Sequence, residues 1–218
     1  MTEPLAHPPG AKKLDYWFTV LLTDPVSVRI VRFLTKRRWL TPDQVTVIAL
    51  VFGLAAGVFF ALGERWGLIA GGISFYLAFV FDCVDGKLAR ATGVTSAKGE
   101  ALDHLADGAR RGAAGLGLAV YVWRADDLAD RDVWWVVVYA FLAYYFLEIA
   151  GAEKGEGGGG RIAQELAKRR LLPNPGMPDV QAVVYIFGPI SGFVIPAFGV
   201  GIAMVTAAIL KTIWRRLK

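Results

Sequence analysis

Residues 67–107 read GLIAGGISFYLAFVFDCVDGKLARATGVTSAKGEALDHLAD, and this stretch decides the fold. It opens as an apolar run long enough to begin crossing a bilayer, then places Asp82 and Asp85 inside that run. After a short polar turn a second run begins, with Asp103 and Asp107 inside it. Charged groups are expensive in a membrane span and are functional or paired when they occur. The stretch therefore reads as two antiparallel membrane helices facing each other through acids.

Working outward, apolar blocks of the same kind recur along the chain. A helix needs about 20 residues to cross the hydrocarbon core. Six candidate spans follow, at roughly 42–62, 67–90, 100–123, 133–151, 178–193 and 195–214. The fifth and sixth share one run, broken by Gly188-Pro189 and Pro196. The expected fold class is all-α: a polytopic membrane protein of six transmembrane helices preceded by an interfacial amphipathic helix. Residues 1–11 (MTEPLAHPPGA) are Pro-rich and expected to be a disordered N-terminus. Residues 12–40 mix Leu14, Trp17, Phe18, Leu21, Val28, Val31 and Phe33 with lysines and arginines, which suits an amphipathic helix lying in the interface. Residues 41–218 form the membrane domain.

Composition agrees. The chain has 218 residues, 55% of them hydrophobic, above the 45–50% of an ordinary soluble domain. Its net charge of +5 does not indicate nucleic acid, because the basic residues lie between apolar blocks rather than in one patch with stacking aromatics. They fall in 12–38, at Lys98, in Lys154–Arg170 and in Lys211–Lys218, whereas the loop 124–132 (RADDLADRD) carries four Asp against two Arg. Six spans put the basic segments on one side, so both termini and the acids are expected on the cytoplasmic face of the cell membrane. Cys83 is the single cysteine and allows no intrachain disulfide. The first forty residues hold no short apolar core with a small-residue cleavage site, so no cleaved signal peptide is expected. Gly155 and Gly157–Gly160 make the fourth connection flexible, and Arg161–Arg170 (RIAQELAKRR) suits either a short basic surface helix or a solvated loop.

The acids are spaced i, i+3 in one helix and i, i+4 in the next, so each pair shares a helical face. With Arg90 and Gly99 at the cytoplasmic ends, Asp85 lies about 7 Å deep, Asp103 about 6 Å, and Asp82 and Asp107 about 12 Å. Two facing pairs at matching levels are expected. Two divalent cations would neutralise them, and oxygen-only ligands favour Mg²⁺ or Mn²⁺ over zinc. Two such ions suit phosphoryl chemistry. Gly86 and Ala89 remove bulk along the acidic face, and Arg90 offers a phosphate a planar fork. Gly99 opens the next helix beside its exposed N–H groups.

Asp82-x-x-Asp85-Gly86-x-x-Ala89-Arg90, eight residues, Gly99, three, Asp103, three, Asp107 resembles the complete motif of the CDP-alcohol phosphotransferase family. The segment Leu40-Thr41-Pro42-Asp43-Gln44-Val45-Thr46 is similar to that family's PNxxT patch, with Asp43 where Asn is usual. The resemblance implies an enzyme that displaces CMP from a CDP-linked alcohol with a hydroxyl acceptor. It implies that Asp82, Asp85, Asp103 and Asp107 bind two metal ions and that Asp107 helps deprotonate the acceptor. It also implies that Thr46, Asp85, Gly86, Ala89, Arg90 and Gly99 line the nucleotide site, and that the protein is a homodimer. CDP-diacylglycerol is the expected donor, in phospholipid biosynthesis, although Asp24–Leu34 also resembles members using soluble CDP-inositol-type donors.

Arg110 and Arg111 follow Asp107 by three and four residues. They either bind a phosphate on the acceptor, favouring inositol phosphate or glycerol phosphate, or pair with Glu148 or a motif acid. Gly108 stands where family members often carry an Arg or Lys after the last Asp, and so assigns neither acceptor. His104 reads as a helix-face neighbour rather than a ligand, and Cys83 as a packing residue. The aromatics at 134, 135, 139, 144 and 145 read as interfacial anchors and packing. An intramembrane prenyltransferase would also use paired acids with Mg²⁺, but on more distant helices and without the GxxAR stretch. A cation transporter would need polar groups continuing to the far side, where these spans are mostly Gly, Ala, Leu, Val and Tyr.

Overall fold

The computed structural model describes residues 8–125, 130–150 and 161–217, with the backbone alone at 130, 148–150 and 162. Among them every named element is a helix. The elements are α1 (Asp24–Arg37), α2 (Pro42–Ala61), α3 (Arg65–Thr92), α4 (Ala97–Arg124), α5 (Val133–Ala150), α6 (Arg161–Lys168), α7 (Met177–Gln181), α8 (Gly188–Ser191) and α9 (Val194–Arg216). Helices α2, α3 and α9 are long and apolar enough to cross a membrane, and α5 carries a shorter apolar stretch, Val133–Leu147. The family-like patch at 41–46 starts α2 by its own chemistry. Gln44 N donates to Thr41 Oγ1 (3.3 Å), Thr41 N donates to Gln44 Oε1 (2.9 Å), and Pro42 occupies the first helical turn.

Helix α2 packs on both α3 and α4. Small residues make that possible: a Cβ at Gly57 would lie 2.4 Å from the Ala113 carbonyl oxygen, and one at Gly117 would lie 2.2 Å from the Gly57 carbonyl oxygen. The two backbones touch, as at small-residue interfaces between membrane helices. We expect Gly57→Val to force α2 and α4 apart at a cost of about 1–3 kcal/mol. Thermal unfolding in detergent checks this, and an unchanged melting temperature would contradict the close approach. Behind α3 the main core gathers Phe60, Phe75, Phe79, Leu118, Tyr139, Tyr185 and Phe198.

Helix α1 is amphipathic: Ser27, Val28, Val31 and Leu34 are buried, against α3, while Arg29, Arg32, Phe33, Lys36 and Arg37 are exposed. It does not extend over all of 12–40. Residues 12–16 are non-helical, and a π-helical turn, Thr19–Thr23, leads into α1. Asp15 forms a parallel bridge with Leu171, through Asp15 N to Arg170 O (2.9 Å) and Leu172 N to Asp15 O (3.0 Å). Backbone pairing with the distant segment 170–172 therefore holds these residues extended. Of the expected disordered N-terminus, residues 1–7 lie outside the described residues, whereas Pro8–Ala11 forms a turn closed by Ala11 N to Pro8 O (3.0 Å).

The break falls at Gly192–Phe193, where the expected spans 178–193 and 195–214 divide, and not at Gly188-Pro189 itself. The chain stays helical from α7 through a π-helical turn, Ala182–Phe187, into α8, and ends at Gly192 with φ +88°. Pro189 therefore lies within a continuous helical run, directly after the π-helical turn. Arg65 donates to the carbonyls of Pro189 (2.8 Å) and Ile190, capping this end from α3. Pro196 sits in the first turn of α9, where a missing N–H is tolerated. The basic segment after the glycine-rich stretch is helical as α6; residues 151–160 lie outside the described residues.

Candidate functional site

The motif straddles the end of α3 and the start of α4. Gly93, with φ +70°, ends α3, and Ser96 begins α4 by accepting from Gly99 N at 3.0 Å. This short connection keeps the two acid-bearing helices side by side at one end of the bundle. Asp82, Asp85 and Asp103 each direct a carboxylate oxygen to within 4.8 Å of the others.

Asp85 is the most closely held. It is 5% exposed and accepts from Thr46 Oγ1 at 2.7 Å, across from α2. Thr46 Oγ1 also lies 3.2 Å from Pro42 O, but a hydroxyl has one proton, and the shorter, charge-assisted contact takes it. Thr46 thus fixes one oxygen of Asp85 and leaves the other for the cluster.

Asp107 lies outside this group of three. Arg110 Nη2 bridges Asp82 Oδ1 (2.7 Å) and Asp107 Oδ1, and Arg111 Nη1 lies 3.1 Å from Asp107 Oδ2. The two facing pairs expected from depth counting are therefore three acids plus one, with a guanidinium between. The reason is local: a long helical side chain points back toward the N-terminus of its helix, so Arg110 folds over the turn below it. Here both arginines engage a motif acid. Gly53 on α2 makes room for Arg110, since a Cβ there would lie 2.3 Å from Arg110 Cγ. The side chains of Glu148 and its helix neighbours at 149–150 lie outside the described residues.

Around the carboxylates, a Cβ at Gly86 would stand 3.2 Å from Arg90 Nη1, and one at Gly99 would stand 3.0 Å from Asp43 Oδ1. Both glycines thus keep side chains out of the mouth of the site. Arg90 is exposed there, and its Nε donates to Gly10 O at 2.7 Å. Ala89 is half-buried on the same helix. His104 is exposed and takes no part in the cluster, and Cys83 packs against the apolar core. Of the aromatics, Tyr139 is buried with Tyr185 and Phe198, while Trp134, Trp135, Tyr144 and Tyr145 are exposed.

Sequence reasoning passed over Lys87, inside the motif. It is 2% exposed; its Nζ lies 3.0 Å from Asp24 Oδ1, while Asp24 Oδ2 lies 3.0 Å from Arg170 Nη1. One carboxylate thereby ties α1, the motif helix α3 and the segment after α6 together. A lysine this far into an apolar run was the available signal, because such a charge needs a partner.

The carboxylate set fits a divalent cation: every donor is an oxygen, and three carboxylates this close repel one another unless a cation lies between them. Comparison with known proteins places the chain in a family. The chain is 28% identical over 115 residues to choline/ethanolaminephosphotransferase 2 of Arabidopsis thaliana, covering 49% of this chain and 28% of that protein. It is 30% identical over 128 residues to the phosphatidylinositol phosphate synthase of Mycobacteroides abscessus, covering 56% and 54%. The chain thus spans about a quarter and about half the length of these two relatives. Among solved structures, the phosphatidylinositol phosphate synthase of Mycobacterium tuberculosis with CDP-DAG bound superposes with a TM-score of 0.60 at 26% identity, covering 88% of this chain and 92% of that one. A family profile described as CDP-alcohol phosphatidyltransferase matches residues 39–158, more than half of the chain and all of the acidic motif. The chain belongs to the CDP-alcohol phosphatidyltransferase family.

Proposed function

We propose that this chain transfers a substituted phosphate from CDP-diacylglycerol to the hydroxyl of a polar acceptor, inositol phosphate or glycerol phosphate, and releases CMP. The observation that carries this reading is the convergence of Asp82, Asp85 and Asp103 on the family's own motif. The donor is supported by the CDP-DAG-bound relative of similar fold, and the inositol phosphate acceptor by the names of the mycobacterial relatives.

Asp82, Asp85, Asp103 and Asp107 would hold two Mg²⁺ or Mn²⁺ ions, which when bound neutralise the diphosphate and the leaving oxygen of CMP. The protein's own groups do the rest. Thr46 orients Asp85, Arg90 grips the diphosphate, and Gly86, Ala89 and Gly99 leave space for the nucleotide. Asp107 accepts the proton of the acceptor hydroxyl. The acceptor oxygen forms a bond to the alcohol-side phosphorus as the bond from that phosphorus to the oxygen of CMP breaks, and CMP keeps the electron pair. Arg110 and Arg111 hold Asp107 in place and lie where a phosphate on the acceptor would dock. In this reading six spans cross the cell membrane, α1 lies in its interface, and two copies form a homodimer. Both termini and the site face the cytoplasm, so lipid donor and water-soluble acceptor each arrive from their own phase.

The test is CMP release by purified protein with Mg²⁺, CDP-linked donors and a panel of acceptors. CMP should appear with CDP-diacylglycerol plus inositol phosphate or glycerol phosphate; its absence with every pair would sink the reading. Asp107→Asn is expected to abolish turnover while largely retaining donor binding. Equal loss of both would make Asp107 chiefly a metal ligand.

A further inference from the structure

We propose that residues 8–12 are a built part of the donor site, in which Gly10 is a positioning residue for Arg90. This inference rests on the reading of Arg90 as a ligand of the donor diphosphate. The segment docks on the motif helix itself. Gly10 has φ +69°, and a Cβ there would lie 2.0 Å from the Lys87 carbonyl oxygen and 2.9 Å from Lys87 Cα. Backbone thus meets backbone, at a residue between Gly86 and Arg90 on α3, and only glycine satisfies both the conformation and the space.

Two further contacts hold the segment from either side. Gly10 O accepts from Arg90 Nε at 2.7 Å, and Lys12 O accepts from Arg170 Nη2 at 3.2 Å. Arg170 is itself paired with the buried Asp24, so the far anchor is fixed to the bundle.

The consequence lies in which donor Gly10 occupies. A guanidinium presents five N–H groups in one plane. Using Nε for Gly10 fixes that plane and leaves the two terminal nitrogens together on the Gly86 side, where Nη1 stands 3.2 Å and Nη2 3.6 Å from the position of a Cβ. That pair is the end of the fork that grips a phosphate bidentately. Immobilising a flexible side chain before the ligand arrives removes an ordering cost from binding. Gly10 therefore acts on donor affinity rather than on the chemical step.

The experiment compares wild type, Gly10→Ala, Arg90→Lys and the double variant, with deletion of residues 1–11 as a strap-free control free of backbone strain. Without any substrate, trypsin cleavage after Lys12 and Lys13 should be about fivefold faster in Gly10→Ala and Arg90→Lys than in wild type, because a docked segment must open before it is cut. With Mg²⁺, the Kd for CDP should rise about three- to tenfold in Gly10→Ala and in the deletion. The kcat at saturating donor should stay within about twofold, as uniform binding requires. In the Arg90→Lys background, which has no Nε, Gly10→Ala should change nothing more. Equal cleavage rates overturn the docking. Normal CDP binding with unchanged affinity in Gly10→Ala overturns the positioning role alone, and tighter binding in the deletion would make the segment a plug. Absence of CDP binding by wild type overturns the functional reading, and the role of Gly10 with it.

Discussion

Asp85→Asn is expected to lower CMP release by about a thousandfold, the scale set by losing a charged group that neutralises the reacting phosphates. The substitution keeps the shape and changes the polarity. Asp85 is buried and accepts from Thr46 Oγ1 with one oxygen. An amide oxygen preserves that bond, which turns the new NH₂ toward Asp82 and Asp103, where a cation would bind. The site then presents a donor where it needs an acceptor. Thr46→Val is the internal comparison: it leaves all the carboxylates and removes one orienting bond, for a loss of about 10–100-fold. CMP release at saturating Mg²⁺ measures both. Should Asp85→Asn fall no further than Thr46→Val, Asp85 is not a ligand and the cluster is structural.

Arg110→Met is expected to make the protein's stability depend on divalent cations. Arg110 is 4% exposed and stands between Asp82 and Asp107. Removing it leaves two carboxylates facing each other with no cation between. Breaking a buried pair costs about 3–5 kcal/mol, discounted here to about 2–4 because the Asp107 side chain is 32% exposed. Without divalent cation the melting temperature should fall by about 5–15 °C for a chain of this size. Saturating Mg²⁺ should recover at least half of the deficit, since an ion that binds only the folded state stabilises it by mass action. It should raise the wild type less, because Arg110 already supplies part of the positive charge. A drop of the same size with and without Mg²⁺ would mean that the acids bind no ion. Methionine keeps the apolar stem that lies against Gly53, so the packing of α2 on α4 is not the variable.

Much of this site is written in local spacing. Asp82 and Asp85 share a face of one helix and Asp103 and Asp107 a face of the next, because the helical repeat puts residues three and four apart together. The turn at Gly93 and the cap at Ser96 then bring the two helices alongside. The start of α2 is equally legible: the capping chemistry of Thr41, Pro42 and Gln44 acts within four residues. The break after Ser191 falls where the spans 178–193 and 195–214 divide, but its cap is not local. Gly188-Pro189 has the composition of a helix end, but Arg65, 124 positions away, caps the carbonyls of Pro189 and Ile190 instead.

By itself, then, the sequence determined the all-helical class, the four acids and the family, since each depends on periodicity or on short fixed spacings that any copy of this chain must carry. Only the tertiary structure decided how the acids group. Asp82, Asp85 and Asp103 converge while Arg110 holds Asp107 to Asp82, because Gly53 on α2 leaves room for the aliphatic stem of Arg110. It likewise docked residues 8–12 on α3, with Gly10 seated on Lys87 and bonded to Arg90. These contacts join residues up to 80 positions apart, and no periodicity encodes them. They follow from which backbones come close enough to touch.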